Sequence, residues 1–145
     1  DDMIDLAMAV EADGVHLGQS DFPIPYARKI LGEEMIIGGT ATTREQAVQI
    51  EEDGGDYVGF GPVFPTDSKD NPASVKGLRG LGATCDAVDV PVIAIGGINS
   101  DRVSAVLEAG AYGVAVMSAV IQDEDPAGAA ELIRTEIDDH LSASS

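Results

Sequence analysis

The chain has 145 residues, a length that suits one domain with a core of its own. Hydrophobic residues make up 44% of it, which is typical of a folded chain and excludes a disordered one. No apolar run approaches the roughly 20 residues that span a bilayer. The single cysteine, Cys85, excludes an internal disulfide and a cysteine-rich zinc site. We therefore expect a protein of the reducing cytoplasm.

Acidic residues dominate the charge. Asp and Glu number 26 against 8 Lys and Arg, which gives a formal net charge of −18. Such a surface repels nucleic acids and anionic membranes, so neither is expected as a partner. The acidic residues are dispersed along the chain and form no acidic tail. This pattern favours an adaptation to molar salt, as in a halophile, where ions screen the repulsion.

Helices and short apolar strands are predicted to alternate along the chain. In chain order they are helix 4–11, strand 15–17, helix 25–31, strand 35–38, helix 44–53, strand 57–61, helix 80–88, strand 92–95, helix 101–109, strand 113–117 and helix 127–140. Three stretches repeat one pattern, in which a helix end, a glycine-containing turn and an apolar strand follow one another. The repeat predicts parallel βα units.

Capping signals mark two of these helices. Thr43 with Gln46 resembles a capping box, and Asp125 followed by Pro126 suits the start of the last helix. No change in composition divides the chain, so we expect one domain over 1–145, with a frayed tail at 142–145. Five strands cannot close an eight-stranded barrel. Two architectures stay open: an open α/β sheet, or a (β/α)8 TIM barrel without its first three strands.

One candidate phosphate site follows the fourth predicted strand. Gly96 and Gly97 end that strand just before a helix, where backbone N–H groups and the helix dipole favour an anion. Ser118 ends the next strand and offers a hydroxyl and an N–H group. Phosphates bound by the last two strand–helix loops are common in barrel folds. The alternative is that the two glycines only permit a tight turn.

A second candidate site is the loop over 61–69. Thr66 and Ser68 offer hydroxyl groups, and Lys69 supplies one of the few positive charges, which suits a diphosphate leaving group. The alternative is a solvated loop, since the stretch is rich in Pro and Asp.

Two carboxylates suggest a metal site. Asp2 is expected just after the end of a strand that is absent from this chain, and Asp21 follows the strand 15–17, so both would lie on the same rim of a barrel, on adjacent strands. Two carboxylates with diphosphate oxygens and water form the oxygen set that Mg²⁺ prefers. The alternative is that both are solvated surface groups. His16 lies inside a predicted strand and is interpreted as a hydrogen-bonded interior histidine, and His140 is given no role.

Four motifs together resemble one enzyme family. They are Ala-Asp-Gly-Val-His-Leu-Gly-Gln-Ser-Asp over 12–21, Tyr-Val-Gly-Phe-Gly-Pro-Val-Phe-Pro-Thr-Asp-Ser-Lys over 57–69, Ile-Ala-Ile-Gly-Gly-Ile over 93–98 and Gly-Val-Ala-Val-Met-Ser-Ala over 113–119. The chain is similar to the thiamine phosphate synthases over residues 1 to about 126. That resemblance implies a TIM barrel of which this chain holds strands four to eight, the C-terminal two-thirds. It also implies a transferase that joins hydroxymethylpyrimidine diphosphate to hydroxyethylthiazole phosphate and releases pyrophosphate.

The resemblance also implies roles for individual residues. Asp2 and Asp21 match the Mg²⁺ aspartates, and Lys69 matches the lysine that acts on the diphosphate and is the catalytic candidate. The remaining implied substrate-binding residues are Thr40 for the pyrimidine diphosphate and Thr66, Asp67, Ser68, Gly97, Met117 and Ser118 for the thiazole phosphate.

The sequence departs from the family pattern at three points. Asp1 replaces a usual asparagine at the diphosphate, and Thr42 replaces a histidine of the related thiazole tautomerases, which favours the synthase. The family's Gln-x-Arg-x-Lys segment, which binds the diphosphate, does not occur in this chain. We therefore expect the isolated chain to be weakly active or inactive, and its open sheet edge to permit a homo-oligomer. The alternatives are a tautomerase-like enzyme and a phosphate-binding barrel fragment without catalysis.

Overall fold

A parallel sheet of five strands forms the centre of the molecule. The computed structural model describes residues 3–66 and 74–143. In these residues the strand order is β1-β2-β3-β4-β5, so consecutive strands are neighbours. The strands are β1 (Gly14–Leu17), β2 (Ile36–Ala41), β3 (Tyr57–Phe60), β4 (Val92–Ile95) and β5 (Gly113–Ala115). The α/β fold and its parallel sheet are confirmed.

Helices connect the strands and return the chain to the same end of the sheet, which is why neighbouring strands run parallel. They are α1 (Ile4–Ala9), α2 (Ile24–Leu31), α3 (Arg44–Glu52), α4 (Gly77–Cys85), α5 (Ser100–Glu108), α6 (Ser118–Ile121) and α7 (Pro126–Ala143). None of the helices in the described ranges has the length and apolar character needed to cross a membrane.

The largest differences from the predicted bounds are at β2, α4 and α7, and α7 continues to Ala143, three residues beyond its predicted end and into the predicted frayed tail. The strand β2 runs three residues beyond its predicted end because its glycine-containing second half still pairs with β3, from Gly38 opposite Tyr57 to Ala41 opposite Phe60. The helix α4 begins and ends three residues early, and β5 ends two residues early, before a distorted backbone at Met117 with φ −128° and ψ −76°. The four-residue helix α6 was not predicted, since it carries too few residues to show a period.

Both predicted caps form. The Thr43 hydroxyl accepts a hydrogen bond from the N–H of Gln46 at 3.2 Å. The other half of the box differs, because the Gln46 amide oxygen accepts from the N–H of Thr42, one residue before the cap, at 2.7 Å. Asp125 accepts from the N–H of Gly128 at 3.1 Å, and Pro126 is the first residue of α7. Each cap satisfies N–H groups that the helix leaves unpaired.

The core lies between the sheet and its helices. Its fully buried large side chains are Leu17, Ile37, Val58, Phe60, Val63, Leu81, Val103 and Val106, together with the polar Thr84. The Thr84 hydroxyl donates to the carbonyl of Gly80 at 2.9 Å, so this polar group is satisfied. The sheet register places the carboxyl ends of all five strands side by side, and the loops that follow them meet there.

Candidate functional site

A cleft of about 310 Å³ opens at the carboxyl ends of β2 to β5. Loops that follow parallel strands meet at this end, which is where binding sites of α/β folds form. Its lining residues are Thr40, Thr42, Gly61, Pro62, Thr66, Ile95, Gly96, Gly97, Ile98, Ala115, Val116, Met117 and Ser118. The wall is thus mostly apolar with a few hydroxyl groups and glycine backbone, the usual composition of a small-molecule site.

Two glycines shape one wall of the cleft. Gly96 and Gly97 have φ values of +97° and +65°, a region that favours glycine. A Cβ atom at Gly97 would lie 2.4 Å from the carbonyl oxygen of Pro65 and 2.9 Å from Cβ of Phe64. Backbone therefore approaches backbone here more closely than a side chain allows. The next helix, α5, begins three residues later at Ser100, so the glycine turn lies beside a helix N-terminus.

Hydrogen bonds fasten this glycine turn to the loop after β3. The N–H of Val63 donates to the carbonyl of Ile95 at 2.9 Å, and the N–H of Phe64 donates to that of Gly96 at 3.0 Å. The peptide bond between Gly61 and Pro62 is cis. The loop after β3 thereby brings Thr66 to the cleft, next to the glycine turn.

Arg102 connects the loop after β3 with the glycine turn after β4. It lies in the first turn of α5, and its guanidinium donates to the carbonyl of Gly97 and stacks on the Phe64 ring at 4.6 Å from the centroid. A hydrogen bond and a cation–π contact thus join residues of both loops through one side chain. Sequence reasoning missed Arg102. Its signal was the presence of a scarce cation in the helix that opens after the paired glycines.

Thr40 contributes a hydroxyl group to the cleft from β2. Hydrogen bonds connect this hydroxyl to His16 on β1 and, through His16, to Tyr57 on β3. His16 Nε2 is 2.8 Å from the Thr40 hydroxyl, and His16 Nδ1 is 2.9 Å from that of Tyr57. Both ring nitrogens of this half-buried histidine are hydrogen-bonded, which confirms the prediction of a satisfied interior histidine. Burial raises the pKa of Tyr57, which keeps it further from the neutral range in which a phenol is already protonated.

Asp21 lies outside this cleft. Its Oδ2 accepts from the N–H of Gly18 at 2.5 Å, and the residue lines a neighbouring cleft of about 350 Å³ between the β1–α2 loop and α3. Gln19 links the two regions, because its side-chain amide donates to the carbonyl of Thr40 at 2.6 Å. No group of three or more His, Cys, Asp or Glu within 3–66 and 74–143 is arranged to hold a metal ion.

The structure therefore brings together part of the predicted site. Around the cleft it places Thr40, Thr66, Gly97, Met117 and Ser118. The predicted residues Asp2, Asp67, Ser68 and Lys69 fall outside the described ranges.

Comparison with known proteins identifies the family. The family model for thiamine monophosphate synthase matches residues 1–120. The chain belongs to this family. It is 59% identical over 138 residues to the thiamine-phosphate synthase of Salinibacter ruber, an alignment that covers 95% of this chain and 61% of that protein. The thiamine-phosphate synthase of Moorella thermoacetica is 52% identical over 133 residues, with 92% and 63% covered.

A solved structure shares the fold of this chain over the matched part. Thiamine phosphate pyrophosphorylase from Pyrococcus furiosus matches with a TM-score of 0.88 and 45% identity, covering 97% of this chain and 67% of that one. The chain thus spans about 61% to 67% of the length of these three relatives.

Proposed function

We propose that the protein is a thiamine phosphate synthase, a transferase that couples hydroxymethylpyrimidine diphosphate with hydroxyethylthiazole phosphate. The observation that supports this proposal most is the convergence on one cleft of the residues for which the family resemblance implies phosphate binding. Thr40, on the β2 side, is proposed to contact the diphosphate. The Gly97 turn, Thr66 and Ser118 are proposed to hold the thiazole phosphate.

The proposed reaction breaks the bond between the pyrimidine methylene carbon and the diphosphate oxygen. The electron pair leaves with pyrophosphate, and the resulting pyrimidine cation is captured by the thiazole nitrogen. The protein then has to hold two anionic substrates in line and exclude water, which is mostly positioning and charge stabilisation. Lys69 is proposed to stabilise the departing diphosphate, and Asp67, Ser68 and Met117 are proposed to contribute to the site for the thiazole phosphate.

Mg²⁺ is proposed as the cofactor, held by Asp2 and Asp21. One carboxylate oxygen of Asp21 is bonded to the N–H of Gly18, and the other is compatible with a hard oxygen ligand set. When bound, the ion neutralises charge on the diphosphate. Two features of Asp21 support the proposed Mg²⁺ site. Its carboxylate is a hard oxygen ligand, and it follows β1, which pairs with the strand that carries Thr40.

The five βα units are proposed to be strands four to eight of a (β/α)8 barrel. The length shared with the relatives supports this, as does the succession of a glycine turn and a serine after the last two strands. The proposal includes a cytoplasmic, salt-adapted protein, for which the net charge of −18 is the support. A second copy is a candidate partner at the sheet edge.

The test is thiamine phosphate formation from the two substrates in molar KCl, with and without Mg²⁺. We expect any product to require Mg²⁺ and to be lost in Lys69→Ala, while Lys29→Ala, which removes an exposed cation on α2, retains it. Because the Gln-x-Arg-x-Lys segment does not occur in the chain, turnover is expected to be weak or absent. Near-normal turnover by this chain would overturn that expectation.

Two other outcomes would replace the synthase proposal. Isomerisation of a thiazole phosphate carboxylate without Mg²⁺ would identify a tautomerase-like enzyme. Binding of the thiazole phosphate by a chain that circular dichroism shows to be folded, with neither turnover nor Mg²⁺-dependent binding of pyrophosphate, would identify a phosphate-binding fragment.

A further inference from the structure

We propose that His16 is a positioning residue that fixes the Thr40 hydroxyl as a hydrogen-bond donor toward the cleft. The structural basis is a chain of three polar groups in which Tyr57 bonds His16 and His16 bonds Thr40. The inference rests on the proposed function. In that function the group that accepts the hydrogen bond from the Thr40 hydroxyl is the diphosphate of the pyrimidine substrate.

The direction of these hydrogen bonds decides what Thr40 can do. A neutral histidine donates from one ring nitrogen and accepts at the other. If Nε2 carries the proton, it donates to the Thr40 oxygen, and the Thr40 O–H is left to donate to a ligand. If Nδ1 carries it, Nε2 accepts the Thr40 O–H, and the cleft meets only a hydroxyl lone pair, which repels an anion.

Tyr57 selects the first arrangement. Within the described residues its hydroxyl has one hydrogen-bond partner, His16 Nδ1 at 2.9 Å. Donation to Nδ1 satisfies the phenol O–H within the protein, whereas a phenol that accepted from an Nδ1–H group would need a water molecule for its own proton. Nδ1 is then the acceptor and Nε2 the donor. A doubly protonated ring would also donate from Nε2, so the Thr40 hydroxyl is left to donate in that case too.

Two glycines leave space for the side chains of this hydrogen-bonded chain. The Tyr57 ring lies over Gly38, where a Cβ atom would be 2.0 Å from Cζ of the ring, and so reaches across β2 to His16 on β1. A Cβ atom at Gly59 would lie 3.0 Å from Cε1 of His16. Glycine weakens a strand interior, so its presence at these two positions on neighbouring strands indicates that the space is used.

The first experiment reads the tautomer without any ligand. The chain has two histidines, so ¹⁵N-histidine labelling of His140→Gln leaves the ring signals of His16 alone. At a pH where the ring is neutral, we expect Nε2 protonated and Nδ1 unprotonated, and a shift toward mixed tautomers in Tyr57→Phe. A ring protonated at Nδ1, or a tautomer ratio unchanged by Tyr57→Phe, would overturn the proposal.

The second experiment measures binding of inorganic pyrophosphate in the presence of Mg²⁺ by calorimetry. Loss of one hydrogen bond to a charged group is expected to weaken binding by about tenfold in Thr40→Val. His16→Leu keeps the Thr40 hydroxyl but no longer fixes its direction, so it should weaken binding severalfold and by no more than Thr40→Val does. Because His16 acts through Thr40, the double variant should match Thr40→Val alone. His16→Gln, which can still donate to Thr40 and accept from Tyr57, should restore most of the affinity.

The outcomes separate the two proposals. Independent, multiplying losses in the double variant would overturn the role of His16, as would an unrescued His16→Gln that is folded by circular dichroism. If the wild-type chain bound no pyrophosphate, the proposed diphosphate site would fail, and the ¹⁵N tautomer would still decide the role of His16.

Discussion

Replacement of Gly97 by alanine tests whether close backbone packing builds the cleft wall. Gly97 has a φ of +65°, and a Cβ atom would lie 2.4 Å from the carbonyl oxygen of Pro65. Gly77 is a matched control, because its φ is +67° and a Cβ atom there would have no atom of the described residues within 4 Å. The two variants therefore share the backbone cost and differ in the clash.

The magnitudes follow from those two terms. A left-handed conformation costs an alanine about 1–2 kcal/mol at either position. The clash adds about 1–3 kcal/mol at Gly97, because the obstructing atom belongs to the backbone and cannot rotate away as a side chain does. We thus expect Gly97→Ala to lose about 2–5 kcal/mol of unfolding free energy and Gly77→Ala about 1–2 kcal/mol.

Thermal unfolding in molar KCl, followed by circular dichroism, measures this difference. At about 4 °C per kcal/mol for a chain of this size, Gly97→Ala should melt roughly 4–12 °C below Gly77→Ala. Melting temperatures within about 1 °C of each other would refute the prediction, because the clash of the new Cβ atom at position 97 would then cost almost no free energy.

Three further predictions concern Arg102, Cys85 and the surface charge. Arg102→Met should lower the unfolding free energy by about 1–2 kcal/mol in urea, because it removes the contacts to Gly97 and Phe64. Arg79→Met, which changes an exposed cation, is the control, and equal losses would contradict the role of Arg102. Burial, and secondarily Asp86, raises the pKa of the Cys85 thiol, so iodoacetamide should alkylate it more slowly at mildly alkaline pH in the folded than in the urea-unfolded chain. The folded state holds this proton more tightly, so stability should fall as pH rises above the ordinary thiol pKa, and equal alkylation rates would argue against burial. Raising KCl from about 0.1 to about 1 M shortens the Debye length from about 10 to about 3 Å and should raise the melting temperature of this −18 chain, whereas an unchanged value would count against salt adaptation.

The sequence alone determined the alternation of helices and strands. Apolar runs, glycine turns and the caps at Thr43 and Asp125 are local signals, and each acts within one or two turns of the chain. The same locality explains the errors. The strand β2 was predicted too short because its glycines are poor strand residues, and only pairing with β3 keeps them in the sheet. The motifs and the family resemblance also pointed to Thr40, Thr66, Gly97, Met117 and Ser118 before any geometry was known.

Only the tertiary structure decided which of these groups meet and what holds them. Arg102 is 38 residues from Phe64 in the chain, and His16 is 41 residues from Tyr57, so no local pattern reveals either contact. The parallel register creates both. It places Gly38 of β2 opposite His16 on one side and opposite Tyr57 on the other, and it brings the loops after β3 and β4 out at the same end of the sheet. The direction of a hydrogen bond at Thr40 depends on that packing, since a hydroxyl donates or accepts according to its neighbours.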